Sequence, residues 1–492
     1  IIAWWKTGRI ALRDLLPLVP WFIAALAIAP LTNSMEKTNG PEFHFTFAQH
    51  MIIMGKDLWF YVLKFIWPHP LLEIYPRWDV ANFSALDWLF PITALAVPVV
   101  LWSLRKKIGR GPAAAVAFYA ATLFPALGFL AFYGSIMTFV TDHYFYLPII
   151  GLIVLIVEPI VRFLNRITAP KIAQASEPTV KSHKRPLSIG LIACFSLALL
   201  IPLGVVSFAQ STLYAPPVGI WLNVLKYNPG SWIAQEQAGA YYYDVGDDAG
   251  ASVYLQKAFA ATRGKESSVD VNLGDLYSDQ FNHDPSTAAR YYGLALAVDP
   301  YQPGVIIKLV HCYEAMGNFP QASFDLQKGL AEYPQSAALH FEFGYLLALA
   351  DKYALAADQF LQVIKFEPEN ALGTYNLALL LEHLNKVQDA QTYYRRALQI
   401  SPNFSLGHYD YGRFLLAQNR PADAIVELEK AIQISRQEKS MVLEAKSLTV
   451  LARAYDALKS SQEAVQTRAQ IKQLGFPVIA TPMPISPLLP NG

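Results

Sequence analysis

The sequence predicts an all-α chain in two parts: a polytopic membrane helix bundle, followed by an α-solenoid of 34-residue repeats. Three observations carry that expectation. The 492 residues are 53% hydrophobic and only 16% charged, against about 25% charged in ordinary soluble domains. Residues 187–209 form a run of 23 without a charge; at about 1.5 Å per residue it reaches roughly 34 Å, enough for a bilayer core of about 30 Å. Downstream of that run, Pro300, Pro334, Pro368 and Pro402 recur every 34 residues, and a fixed period of this size marks a repeat array.

A chain of this length exceeds one domain. The composition shift divides it into a membrane part at 1–210, a repeat array at 211–478 and a proline-rich tail at 479–492, expected to be disordered. A net charge of +1 gives no signal for nucleic acid as a partner. Cys194 lies in the uncharged run and Cys312 in the array, so no disulfide framework exists. Zinc-type Cys/His spacing is absent too. The chain starts Ile1-Ile2-Ala3-Trp4-Trp5, with no Met and no signal-peptide pattern. It reads as the C-terminal part of a longer membrane protein.

The membrane part reads as about five spans. The first is the uncharged run 15–35, preceded by Lys6, Arg9 and Arg13. Residues 52–67 are apolar but carry Lys56, Asp57 and Lys64, and reach only about 24 Å. Trp59, Phe60 and Trp67 suit a membrane interface, so this segment is expected to be a short outer interfacial or re-entrant helix. Residues 88–104 form the second span, closed by Arg105, Lys106, Lys107 and Arg110. The third is expected at 112–133 and the fourth at 144–161. A basic loop at 162–185 precedes the fifth, at 187–209. The positive-inside rule puts the three basic clusters on the cytoplasmic side only if 52–67 does not cross. The array then lies outside the cytoplasm: periplasmic in a bacterial inner-membrane protein, lumenal in an endoplasmic-reticulum one.

Within the array the ladder repeats in phase: Phe343-Gly344, Leu347, Ala356, Phe360; then Leu377-Ala378, Leu381, Ala390, Tyr394; then Tyr411-Gly412, Leu415, Ala424, Leu428. This is the tetratricopeptide (TPR) pattern. Small residues let two helices approach, aromatics fill between repeats and proline ends the second helix. Fainter copies bring the count to seven. Positions offset from the ladder on the first helices are Ile307, His311, Phe341, Tyr345, Tyr375, Glu382, Tyr409 and Arg413. They read either as an aromatic groove for an extended peptide or glycan, or as ordinary packing of aromatic-rich helices.

The array carries no GxSxG, P-loop or HExxH motif. The outer face of the membrane part is richer. Residues 138–148 read TFVTDHYFYLP, and residues 67–79 read WPHPLLEIYPRWD. Arg77, Asp142 and His143 there read either as solvated caps or as a cleft where a lipid headgroup meets a soluble acceptor. A guanidinium suits phosphate oxygens, and Asp142 suits orienting His143 or holding a divalent metal. No other cofactor is evident.

WPHPLLEIYP, then TFVTDHYFYLPIIGL, then a TPR array resembles the TMTC-type (transmembrane and TPR-containing) proteins and their bacterial homologues. Those are similar to protein O-mannosyltransferases of the GT-C fold. The resemblance covers residues 1–478 and implies transfer of a sugar from a polyprenyl-phosphate donor to a protein Ser or Thr on the non-cytoplasmic face. Arg77, Asp142 and His143 would hold the donor phosphate, and the array would recruit the acceptor protein or peptide. The family's acidic catalytic motif is expected upstream of this chain. Two other readings stand beside this one: a non-catalytic membrane-anchored TPR scaffold, and a polytopic ligase that moves a lipid-linked oligosaccharide.

Overall fold

The computed structural model describes residues 1–10, 15–20, 23, 45–127, 138–168, 186–278, 284–477 and 484–490. Most of the expected first span, 15–35, and most of the basic loop 162–185 lie outside them. The described residues form 21 α-helices with short 3₁₀ turns. The chain divides into two compact units, Ile1–Arg263 and Gly264–Gly492.

The first unit contains α1 (Ile2–Thr7), α2 (Phe47–Ile66), α3 (Leu89–Ile108), α4 (Gly111–Leu123), α5 (Ile149–Thr168) and α6 (Pro186–Ser211). After them come α7 (Val218–Tyr227), α8 (Trp232–Asp244) and α9 (Asp248–Thr262). α2 opens with a capping box: the Thr46 hydroxyl accepts from the Gln49 N–H, and Gln49 Oε1 accepts from the Thr46 N–H. This segment, expected as a short outer interfacial or re-entrant helix, packs one face into the unit, with Met54 and Tyr61 in one core with Tyr119, Leu123, Val140, Phe145 and Leu152, while Leu63, Ile66 and Trp67 are exposed. Two of its charges find partners within the unit, although Asp57 Oδ2 stays buried without one. Lys56 pairs with Asp87 at 2.7 Å, and the Trp78 indole donates to Asp57 Oδ1 at 2.9 Å.

Among the described residues, Ala85–Ile108 is long and apolar enough to cross a membrane. Its Ile92, Leu95, Val99 and Trp102 are exposed, as are Ile153, Val157, Leu200 and Phe208 on α5 and α6. The span expected at 112–133 is not one helix over its described part. α4 stops at Leu123, after 13 residues and about 20 Å. Pro125 ends it, because proline has no N–H to continue the ladder, and Phe124–Ala126 turns as 3₁₀. α4 and α5 approach closely, since a Cβ on Gly151 would come within 2.6 Å of the Ala115 carbonyl oxygen.

The second unit is a row of six helix pairs. They are α10 (Ser267–Ser278) with α11 (Pro285–Val298), α12 (Pro303–Ala315) with α13 (Phe319–Glu332), and α14 (Ala337–Leu349) with α15 (Tyr353–Phe366). The rest are α16 (Ala371–His383) with α17 (Val387–Ile400), α18 (Ser405–Ala417) with α19 (Pro421–Gln437), and α20 (Met441–Ala457) with α21 (Ser461–Gln473). The small residues of the ladder sit where paired helices touch. A Cβ on Gly344 would reach Phe360 at 2.9 Å, and one on Gly412 would reach Leu428 at 2.7 Å. Ala288, Ala322, Ala356, Ala390 and Ala424 are completely buried. Between the helices of successive pairs, Gly317, Asp351, Asn385 and Asn419 all take φ between 56° and 70°. That left-handed position ends the first helix, and glycine and short polar residues tolerate it best. The carbonyls of Pro334 and Pro402, where second helices end, lie 3.0 and 2.9 Å from His340 Nε2 and His408 Nε2.

Candidate functional site

In the second unit one repeat position stands out. Glu342, Asn376, Asp410 and Glu444 fall 34 residues apart, on α14, α16, α18 and α20. All four are buried, Asn376 and Asp410 completely. A polar column inside apolar helices is costly unless each group finds a partner. Two of those partners come from the proline-rich segment 484–490.

That segment, expected from its composition to be disordered, lies against the array. Asn376 Nδ2 donates to the Leu489 carbonyl at 2.7 Å, and the Leu489 N–H donates back to Asn376 Oδ1 at 3.0 Å. Ser486 Oγ donates to Asp410 Oδ1 at 2.8 Å. Ile485, Leu488 and Leu489 are half-buried against the main core of the array. Composition read this stretch as solvated because it missed the pattern: three apolar residues, Ile485, Leu488 and Leu489, and the Ser486 hydroxyl all contact the array.

Behind the column runs a hydrogen-bonded network. The Tyr375 hydroxyl donates to Asp410 Oδ2 at 2.7 Å, and Arg413 Nε donates to Asp410 Oδ1 at 3.1 Å. The Arg413 guanidinium forks onto Glu382, both bonds at 2.8 Å, and the Tyr394 hydroxyl donates to Glu382 Oε2 at 2.7 Å. Burial pushes the Asp410 carboxyl above its ordinary value, against the opposing pull of Arg413 and the Tyr375 hydroxyl. The Tyr375 hydroxyl is likewise raised by burial and then by Asp410.

Of the groove residues named from sequence, Tyr375, Glu382 and Arg413 are joined in this network. Tyr409 is buried beside it. Phe341 is not a groove residue: it packs edge-on to Phe360, ring centroids 5.0 Å apart, inside its own helix pair. Ile307 packs against the core of Ile306, Leu326 and Leu339. His311 Nε2 lies 3.3 Å from Glu342 Oε2, and Tyr345 is half-buried. Sequence reasoning missed Asn376 and Asp410. The signal was present, since Asn376 and Asp410 are 34 residues apart and each directly follows an aromatic at that period, Tyr375 and Tyr409.

The first unit holds a cleft of about 1410 Å³. Its walls include Ile153, Ile156 and Val157 of α5 and Leu200, Leu203 and Val206 of α6, and its lining also takes in Lys64, Glu73, Asp142, His143, Gln210 and Asn223. The Tyr75 hydroxyl donates to Asp142 Oδ1 at 2.9 Å. The Lys64 ammonium bonds the Pro70 carbonyl and lies 5.0 Å over the Tyr75 ring. Burial raises Asp142 above its ordinary value and lowers Lys64, each group partly countering the shift of the other. Gln210 Nε2 donates to the Leu71 carbonyl at 3.2 Å, which joins the end of α6 to the 67–79 stretch. Asp142 and His143 therefore come together with that stretch, and Lys64, read from the sequence only as a charge on the 52–67 helix, joins them. Arg77 lies outside the lining, with its guanidinium 4.7 Å over the Phe139 ring. Among the described residues no group of three or more His, Cys, Asp or Glu side chains is placed to hold a metal ion.

TPR family models match residues 282–348, 350–403 and 383–448, so this stretch carries tetratricopeptide repeats. No curated protein matches the chain. Solved structures similar to it include MamA, at 21% identity over 36% of this chain and 95% of that one, TM-score 0.32. YrrB, described as a TPR protein with an unusual peptide-binding site, matches at 18% identity over 38% of this chain and 95% of that one, TM-score 0.33. A tetratricopeptide repeat protein from Parabacteroides merdae matches at 15% identity over 50% of this chain and 93% of that one, TM-score 0.37.

Proposed function

We propose that the repeat array is a protein-interaction scaffold that holds extended polypeptide in the groove along Glu342, Asn376, Asp410 and Glu444. One observation carries this: Asn376 pairs with both the N–H and the carbonyl of a single residue, Leu489. That contact reads main chain rather than side chain, so it suits any extended segment whose flanking side chains fit the apolar floor. The test is a titration with extended proline-containing peptides of the full chain carrying Leu488→Asp and Leu489→Asp, which takes its own segment 484–490 out of competition. Adding Asn376→Ala is expected to weaken binding at least tenfold while leaving the circular dichroism spectrum unchanged. Equal affinity with and without Asn376→Ala would remove the groove from this role.

A second reading concerns the first unit and the transfer of sugar from a polyprenyl-phosphate donor to protein Ser or Thr, with the array recruiting the acceptor. The observation that favours it is the shape of the cleft: long apolar walls on α5 and α6, with Lys64, Asp142 and His143 also in the lining. A polyisoprenyl chain would lie along the walls and its phosphate beside the two basic side chains, where they would offset charge developing on the leaving phosphate. The exposed apolar faces of α3, α5 and α6 suit lipid contact. The positive-inside topology gains support from two juxtapositions. Trp4 stacks on Trp102 at 4.8 Å, bringing the first two basic clusters together, while 67–79, Asp142 and the end of α6 meet elsewhere. A reporter active only outside the cytoplasm, fused after Gly475, is expected to be active. Lys64→Ala and His143→Ala are expected to cut transfer more than Arg77→Ala. Wild-type rates in the first two would leave the scaffold without chemistry.

A further inference from the structure

The segment 484–490 has a period of its own. Pro484, Pro487 and Pro490 recur every third residue and are exposed, while Ile485, Ser486, Leu488 and Leu489 are half-buried. A polyproline II strand has three residues per turn, so prolines at this spacing share one side and the residues between them share the other. The exposed side is the proline side; the residues between face the array. Proline also limits the freedom of the unbound segment, which lowers the ordering cost of docking. The position at Asn376 must be a residue other than proline, because Asn376 needs its N–H. Three residues earlier, Asp410 takes a hydroxyl donor. The rest of the column there, Glu342 and Glu444, is acidic, so an acidic side chain facing it would be repelled, with Arg413 already committed to Glu382 and Asp410.

We propose that residues 484–490 are a resident ligand of the groove, and that the partner the array captures presents a segment of the same chemistry: extended, uncharged and proline-punctuated, with a Ser or Thr three residues before an apolar residue that meets Asn376. The inference rests on the reading of the array as a polypeptide-binding scaffold. Its consequence is regulation. A segment carried on the same chain competes at an effective concentration that is on the order of millimolar for a short tether. The groove of the resting protein is therefore closed to weak ligands and opens when 484–490 leaves or is outcompeted. A negative charge at Ser486 would sit against the Asp410 carboxylate and favour release.

The test uses a fluorescently labelled peptide of sequence PISPLLP, identical to residues 484–490, titrated into the full chain and read by anisotropy. Leu488→Asp with Leu489→Asp should free the groove, and Ser486→Glu offers a second route that leaves the apolar residues in place. Both released variants are expected to bind the probe at least tenfold more tightly than the wild type. Adding Asn376→Ala to either should reverse that gain. Equal affinity in wild type and released variants, with Asn376 still required, would overturn the resident-ligand inference and leave the polypeptide groove standing. Probe binding that is absent from the released variants, or indifferent to Asn376→Ala, would overturn both.

Discussion

Asn376 and Leu489 exchange two hydrogen bonds, side-chain amide to main chain, at 2.7 and 3.0 Å. The two residues are 113 positions apart in sequence. The pairing satisfies a completely buried amide whose neighbours on α16 are nearly all apolar. With the segment in place, an amide left unpaired there would cost roughly 1–3 kcal/mol, so the two bonds are what allows Leu489 to cover Asn376.

Gly344 tests the phase of the repeats. A Cβ there would meet Phe360 Cε2 at 2.9 Å, and a full leucine side chain has no space between the paired helices. Gly344→Leu is expected to cost about 1–3 kcal/mol by overpacking, spread to neighbouring pairs because repeats are coupled. Thermal unfolding of the array checks this. An unchanged Tm would mean that α14 and α15 do not touch at this residue.

Arg413 tests the network behind the groove. It is the cation held between the buried Asp410 and the partly buried Glu382, forked onto Glu382 and bonded to Asp410. Arg413→Ala leaves both carboxylates without their cation and is expected to destabilise the array by about 3–5 kcal/mol. Arg413→Lys should recover only part of this, because a lysine cannot reproduce the fork. Chemical denaturation of the three proteins reads the difference, and full recovery by lysine would contradict the role of the bidentate bond.

Much of the fold was legible because it is periodic. Pro334, Pro368 and Pro402, the alanines at 356, 390 and 424 and the glycines at 344 and 412 recur at one spacing, and each has a steric reason for its identity. The polar column was less legible. The offset to the ladder picks out Tyr375, Glu382 and Arg413, which the structure joins in the network behind the column, but a period cannot say which of two adjacent columns faces outward, so Phe341 stays open between groove and packing and Asn376 is missed. Residues 484–490 were illegible for a different reason: composition averages over a segment, whereas docking depends on which side each residue faces. In the first unit, the partners of two charges on α2 were not legible, because Asp87, which pairs with Lys56, and Trp78, which bonds Asp57 Oδ1, are distant in sequence.

Asp270 gives a pH dependence. Its carboxylate is completely buried with no hydrogen-bond partner on either oxygen, and burial lifts it from 3.8 to about 6. Below the ordinary value both folded and unfolded chains hold the proton, and Asp270 is neutral to stability. As pH rises towards about 6 the unfolded chain ionises first, so stability falls over that window and then levels. Asp270→Asn is expected to raise Tm by a few degrees at pH 7 and to leave it nearly unchanged at pH 3.5. A lower Tm at pH 7 would show that the carboxylate has a cationic partner.

Amide hydrogen exchange at Leu489 tests capture of main chain by the array most directly. In the wild type this N–H is bonded to Asn376 Oδ1 and should exchange at least tenfold more slowly than in the free peptide PISPLLP. Asn376→Ala should return it to the free-peptide rate while the amides of α16 and α18 keep their protection. Exchange at the free-peptide rate in the wild type would show that the groove does not hold the segment, and the claim that Asn376 reads extended polypeptide would fall with it.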